Sequence, residues 1–337
     1  MDRLSDYDFD LPEELIAQSP LEDRAASRLL YLPRAGGPAE SRAFRDVIDI
    51  LSPGDLLITN NTRVTALRLF GQKPTGAEVE ALLLREQETG VFSALLRPGK
   101  RLKPGARILF PDGLAATVRR ELEEPVKEIE FDPDPELHEK LRRHGKVPLP
   151  PYIHLGLDDP ERYQTVYAEI GGSAAAPTAG LHFTPEILAA LQAKGIETAS
   201  VTLDVSLDTF RPVTSENLDE HRMHGEYCTL PEETAAKINA ATGRIVAVGT
   251  TTVRTVESFA TGPREVAAGT KNTSIFIRPG YEFLVIDGMF TNFHLPKTTM
   301  LMMIGALAGR DRILAAYAQA IQHRYRFLSF GDSMLIL

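Results

Sequence analysis

The chain has 337 residues, 43% apolar and 25% charged, with 46 Asp and Glu against 37 Lys and Arg, a net charge of −9. That length accommodates roughly two domains, and the composition excludes a disordered, collagen-like or low-complexity chain. A single cysteine, Cys228, excludes an internal disulfide and a four-cysteine zinc site and suits a reducing compartment.

The opening Met1-Asp2-Arg3-Leu4-Ser5-Asp6 lacks the basic-then-apolar order of a signal peptide. The apolar stretch 300–308 is far short of the ~20 residues a membrane span needs. The expectation is a cytoplasmic, globular, acidic protein.

In chain order, Leu56-Leu57-Ile58-Thr59 reads as a buried strand. Short apolar stretches follow at 67–70, 79–84, 91–96, 107–110, 114–118 and 126–131, most of them separated by Gly or Pro turns. Strands of that length and spacing predict a small antiparallel barrel or sandwich. A helix over 135–144 and the rigid Pro148-Leu149-Pro150-Pro151-Tyr152, suited to a hinge, close the segment.

Beyond it, helix and strand alternate. Thr184-Pro185-Glu186 supplies an N-cap and a first-turn proline for a helix that Gly195 ends, with a strand over 196–203. Thr229-Leu230-Pro231-Glu232 matches a capping box, predicting a helix to Ala241. Residues 244–249 form a glycine-bounded apolar run, as a central strand should. The pattern predicts an α/β domain of residues 1–66 and 152–337, with a β-barrel domain of residues 67–151 inserted into it.

Five segments could carry chemistry. Gly249-Thr250-Thr251-Thr252-Val253-Arg254 is a strand-to-helix turn that offers amides and hydroxyls to an anion, though it lacks the P-loop lysine and the dinucleotide glycine pattern. The run Gly171 to Gly180 has almost no side-chain volume and leads to His182, so backbone can approach a flat ligand closely. His221-Arg222-Met223-His224-Gly225-Glu226-Tyr227-Cys228 holds ligand types that zinc accepts, but the spacing is a poor match, and an acid–base role suits it better. Thr291-Asn292-Phe293-His294 groups hydroxyl, amide and imidazole before a helix, and Phe330-Gly331-Asp332-Ser333 places a carboxylate in a turn. The run 97–107 contains Arg97, Lys100, Arg101, Lys103 and Arg107 with no anion. It reads either as a solvated face or as a local RNA contact on an acidic protein.

Taken together, these segments resemble the S-adenosylmethionine:tRNA ribosyltransferase-isomerase family of queuosine biosynthesis. The likeness spans the chain through Asp8-Phe9-Asp10-Leu11-Pro12, Asn61-Thr62-Arg63-Val64, Leu96-Arg97-Pro98-Gly99-Lys100, Pro148-Leu149-Pro150-Pro151-Tyr152, Ala175-Ala176-Pro177-Thr178-Ala179-Gly180-Leu181-His182, Gly249-Thr250-Thr251, Thr291-Asn292-Phe293-His294 and Tyr325-Arg326-Phe327. It implies a three-layer α/β/α sandwich with an inserted small antiparallel β-barrel. The implied reaction moves and isomerises the ribosyl unit of S-adenosylmethionine onto 7-aminomethyl-7-deazaguanine (preQ1) at the wobble position of a tRNA with a GUN anticodon, releasing adenine and methionine. S-adenosylmethionine is then a co-substrate, no cofactor or metal is required, and a monomer is expected.

On that reading His182, His224, Glu226 and Asp332 are the acid–base candidates. Thr178, Gly180, Gly249, Thr250, Thr251, Arg254, Asn292 and His294 are the substrate-binding candidates, with Arg254 and its turn holding the methionine carboxylate. Arg97, Lys100, Arg101 and Lys103 are the tRNA contacts. The chain departs from the family pattern at Asp204, where the family has histidine, at Ser206 and Asp208, where it has glycine, and at Asn61, where Asp is usual. Two other readings are a metal-dependent hydrolase built on His221, His224 and Glu226, and a non-catalytic tRNA-binding relative.

Overall fold

Apolar runs without polar alternation form strands with both faces covered. In the computed structural model Leu56–Asn60 and Ile245–Val248 are such strands, every residue buried. The structure describes residues 3–122, 125–205, 213, 215–223 and 225–337. These form two units, one of Met1–Thr62, Pro151–Ile170 and Ala176–Leu337, the other of Arg63–Pro150 and Gly171–Ala175.

The first unit is built on a nine-stranded sheet. Its spatial order is Gly269–Thr273, Glu226–Leu230, Glu197–Leu203, Leu56–Asn60, Ile245–Val248, Gly288–Asn292, Ser333–Ile336, Arg28–Leu32 and Glu40–Ala43. The four central strands from Glu197–Leu203 to Gly288–Asn292 are parallel, and antiparallel neighbours flank them. Helix Pro185–Ala193 precedes Glu197–Leu203, which pairs on one side of Leu56–Asn60. Helix Thr250–Ser258 follows Ile245–Val248, whose next parallel partner lies on the other side. Right-handed crossovers running in opposite directions put their helices on opposite faces. Three layers result.

On one face Val47, Leu51, Ile187 and Leu191 close over Leu57, Val246, Val248, Phe290 and Leu335. Thr184 caps its helix as the sequence predicts, its Oγ1 accepting from the Ile187 amide at 3.3 Å. The predicted capping box at Thr229 does not form. Thr229 belongs to the strand Glu226–Leu230, where its hydroxyl bonds that of Thr270 at 2.9 Å, and the helix Glu232–Ala240 starts from Pro231 without a side-chain cap.

The second unit is a closed antiparallel barrel in the order Val126–Phe131, Val91–Arg97, Glu78–Glu88, Leu67–Gln72, Arg107–Leu109, Ala115–Glu121. Alternate residues such as Leu69, Ala81, Leu83, Ala94, Ile108, Val118 and Ile129 fill its interior, and Leu137 and Leu141 of helix Leu137–His144 pack against them. The fold is therefore an α/β/α sandwich with an inserted small antiparallel barrel.

Candidate active site

Open parallel sheets leave a crevice at the carboxyl ends of two neighbouring strands whose crossovers diverge to opposite faces. Leu56–Asn60 and Ile245–Val248 are that pair here, and buried Asn60 ends the first of them. Its Oδ1 accepts the amides of Thr62 and Leu203, each at 3.1 Å, and its Nδ2 donates to the Leu203 carbonyl and Thr251 Oγ1, each at 3.2 Å. All four hydrogen-bonding positions of the amide are used, so this side chain ties strand ends together and has none left for a ligand.

Above it lies a cleft of about 680 Å³ including its open mouth. It is lined by residues 176–179, 249–251 and 291–295, with Tyr152, Val205, Thr298, Met300, Leu328 and Ser329. Gly249 turns the chain from strand to helix at φ +91°, in the left-handed region that side chains disfavour. The helix Thr250–Ser258 therefore opens at the cleft wall, where its first amides have no intrahelical partner and favour an anionic group. Its far end is anchored by Glu257, which accepts from the amides of Leu284, Val285 and Ile286 at 3.0, 3.0 and 2.9 Å and from the Tyr281 hydroxyl at 3.0 Å.

A hydrogen-bond chain runs inward from the cleft. Thr178 Oγ1 donates to Asn292 Oδ1 at 3.0 Å, and Asn292 Nδ2 reaches His182 Nε2 at 3.2 Å. His182 Nδ1 meets Ser27 Oγ at 2.8 Å, and that hydroxyl donates to the Arg24 carbonyl at 3.2 Å. The chain is satisfied throughout when Nδ1 carries the proton and Nε2 accepts, a tautomer assigned from the network. Burial lowers the His182 pKa to about 4, against a smaller upward pull from Asp332. The imidazole is thus uncharged near neutral pH, and it reaches the cleft through Asn292.

His294 lies in the cleft wall, 2.6 Å from Thr291 Oγ1 through Nε2, with its backbone amide held by the Tyr317 hydroxyl at 2.9 Å. Thr291 Oγ1 donates to the Asn292 carbonyl at 3.2 Å, so Nε2 is the donor and Nδ1 keeps its lone pair. Burial lowers this pKa to about 3.

Of the substrate-binding candidates, Thr178, Gly249, Thr250, Thr251, Asn292 and His294 line the one cleft. Gly180 and Arg254 do not. A side chain at Gly180 would run into the Tyr167 hydroxyl, so the small-residue run 174–180 is packed rather than loose. Arg254 forms a buried ion pair with Glu226, and its Nη2 also donates to the Thr273 carbonyl at 3.4 Å. The pair occupies both charges and neither residue lines the cleft, although Arg254 Nε is buried without a partner.

Asp332 is likewise engaged. Its carboxylate accepts from the Arg28 and Arg326 amides at 2.9 and 2.8 Å and pairs with the Arg28 guanidinium at 2.9 Å. His224, and with it Ser206 and Asp208, lies outside the described residues. His221 packs edge-on against Phe276, and among the described residues no group of three or more His, Cys, Asp or Glu converges as a metal site requires.

Sequence reasoning missed Asn60, Ser27, Tyr152 and Ser329, the last two sharing a hydroxyl bond of 2.8 Å in the cleft wall. Tyr152 ends the Pro-rich motif Pro148-Leu149-Pro150-Pro151-Tyr152 and Ser329 follows Tyr325-Arg326-Phe327, so both sat in segments with a visible signal, whereas Asn60 and Ser27 did not. In the barrel, Arg97, Lys100, Arg101 and Lys103 are all exposed. Lys103 approaches Glu121 at 3.4 Å, whereas the other three have no ion pair among the described residues.

The geometry can be set beside known proteins. The chain is 52% identical over 340 residues to the S-adenosylmethionine:tRNA ribosyltransferase-isomerase of Symbiobacterium thermophilum, covering 99% of this chain and 100% of that protein. It also resembles a crystal structure of S-adenosylmethionine tRNA ribosyltransferase from Thermotoga maritima, with 37% identity, a TM-score of 0.57, and coverage of 98% of this chain and 100% of that one. The family model described as queuosine biosynthesis protein matches residues 4–336, and the chain belongs to that family.

Proposed function

We propose that the protein is a cytoplasmic, monomeric enzyme that transfers and isomerises the ribosyl unit of S-adenosylmethionine onto preQ1 at the wobble position of a GUN-anticodon tRNA, leaving epoxyqueuosine-tRNA, adenine and methionine. Family membership supports the reaction. The observation that carries the site is that six residues from three distant motifs, Thr178, Gly249, Thr250, Thr251, Asn292 and His294, meet in one cleft at the sheet's switch point. No described helix is long and apolar enough to cross a membrane.

The chemistry is a sequence of proton movements. The sulfonium acidifies the C5′ hydrogens, adenine leaves more easily with a donor at its ring nitrogens, and the aminomethyl group must lose a proton before it attacks. Neutral, oriented donors and acceptors serve charge that develops only along the reaction. The open amides at Thr250 and Thr251 would receive the methionine carboxylate, the part first assigned to Arg254. His294 would offer a neutral acceptor at Nδ1, and Asn292 a group held by His182, which acts as a positioning residue. The wobble base must reach such a pocket from a single-stranded loop, splayed from its stack.

The test is incubation with S-adenosylmethionine and precursor tRNA, following free adenine and the mass of the tRNA. Adenine release with a matching mass gain is expected. Tight tRNA binding with neither product would favour the non-catalytic reading instead.

A further inference from the structure

A second cavity, about 310 Å³ including its mouth, opens on the far side of His182 and is walled by Arg24, Arg162, Ser27 and Ser329 with apolar Leu21 and Phe330. Its two guanidiniums repel each other: Arg24 is pushed down by burial first and by Arg162 next, with only partial compensation from Asp159 and Glu161. Among the described residues no carboxylate comes within ion-pairing distance of either arginine or of Arg326, whose charge also acts on His182.

Their donors are incompletely used. Arg24 spends one bond on the Gln164 carbonyl at 2.6 Å and one on the Glu161 carbonyl at 2.9 Å, and Arg162 one on the Leu21 carbonyl at 2.5 Å. Arg162 Nε and Arg326 Nη1 are buried without any partner. Buried charged donors left open are costly, and a water satisfies a donor without balancing a charge. Paired guanidinium forks match the oxygens of a phosphate or carboxylate.

We propose that this cavity binds one oxyanion, a phosphodiester or a carboxylate, between Arg24 and Arg162. Assigning that anion to a substrate rests on the function proposed above, whereas the site itself does not. Ser27, in its wall, is the inner end of the chain that passes through His182 to Asn292, and Ser329 lines both this cavity and the main cleft. An anion seated here would hold a substrate while touching the network that orients Asn292.

Thermal unfolding of the full chain with inorganic phosphate, against chloride at equal ionic strength, reads the site directly. A saturable rise in Tm is expected, lost in Arg24→Met and in Arg162→Met and largely retained in Arg162→Lys. Steady-state assays then separate the sources. A phosphodiester of the anticodon loop predicts a KM for tRNA raised about ten-fold or more in each Met variant, the size of a lost charge-assisted bond, with a shallower salt dependence. A carboxylate of S-adenosylmethionine predicts the same rise in the KM for that substrate alone. Absence of any phosphate effect on the parent protein, or its persistence in both Met variants, overturns the site. A protein that binds phosphate through these arginines yet releases no adenine keeps the site and loses the functional reading.

Discussion

His294 in the cleft wall and His182 behind it are buried and uncharged, each with its protons placed by a fixed partner. On the barrel Arg97, Lys100 and Arg101 are exposed and charged, with no partner among the described residues. Buried neutral dipoles need no reorganisation as charge develops beside them, which suits chemistry. Exposed cations act over about a Debye length, ~8 Å at physiological salt, and suit attraction of a polyanion. On the proposed function, the difference would give bond-making to the sheet unit and capture to the barrel. It also yields experiments of graded size.

The largest effect should fall on Glu226, the carboxylate whose sequence context suggested an acid or base. Glu226→Gln leaves the Arg254 cation buried and unpaired, which costs about 3–5 kcal/mol of stability. Urea unfolding should show that loss, and Glu226→Gln combined with Arg254→Met should recover most of it. A single variant as stable as the parent but without turnover would instead return Glu226 to the chemistry and break the contrast.

Asn292→Ala comes next. It removes the group linking Thr178 to His182 and should lower kcat by about 10²–10³-fold, as loss of one preorganised donor does. Single-turnover adenine release measures it. A change confined to KM would make Asn292 a binding group only.

Much of this architecture was legible because it is written in local patterns. The six barrel strands announce themselves through alternation and Gly or Pro turns, and Thr184-Pro185 marks a helix start from four neighbouring residues. Thr229-Leu230-Pro231-Glu232 misled because the motif is equally compatible with a β-branched threonine in an antiparallel strand, and its pairing with Thr270 is decided 41 residues away. Glu226 with Arg254 and Ser27 with His182 are partnerships between distant segments, invisible to spacing. The cleft was half legible: the sequence supplied its motifs, while the switch-point topology chose which of their residues face it.

The histidines give a pH experiment. Unfolded, each would take its proton near ~6.5; folded, they do so only at about 4 and about 3. Below that unfolded value the unfolded chain holds the extra protons, so stability falls as pH falls, by about 1.4 kcal/mol per pH unit for each histidine. For His182 the slope ends at about pH 4, where the folded form also charges. Unfolding free energies of His182→Asn between pH 6 and 4.5 should therefore fall less steeply than the parent's, by about one proton. Parallel slopes would mean His182 is already solvated and charged.

The barrel offers the smallest effect and an internal control. On its helix Leu137–His144 two cations are already paired: Lys140 with Asp134 at 2.8 Å, and Arg143 with Asp112 at 2.8 Å and with Glu139 at 2.9 Å. Lys100→Glu with Arg101→Glu should raise the KM for tRNA about ten-fold and flatten its dependence on salt, because each phosphate contact contributes close to one unit of slope. Arg143→Glu changes the same formal charge per residue on the same unit but breaks pairs that already cancel, so it should move the tRNA KM much less. The two variants should both stay within about 1 kcal/mol of parental stability, since all these groups are at the surface. Equal effects on tRNA would show that net charge governs capture; a large effect at Lys100 and Arg101 alone identifies the unpaired turn as the contact.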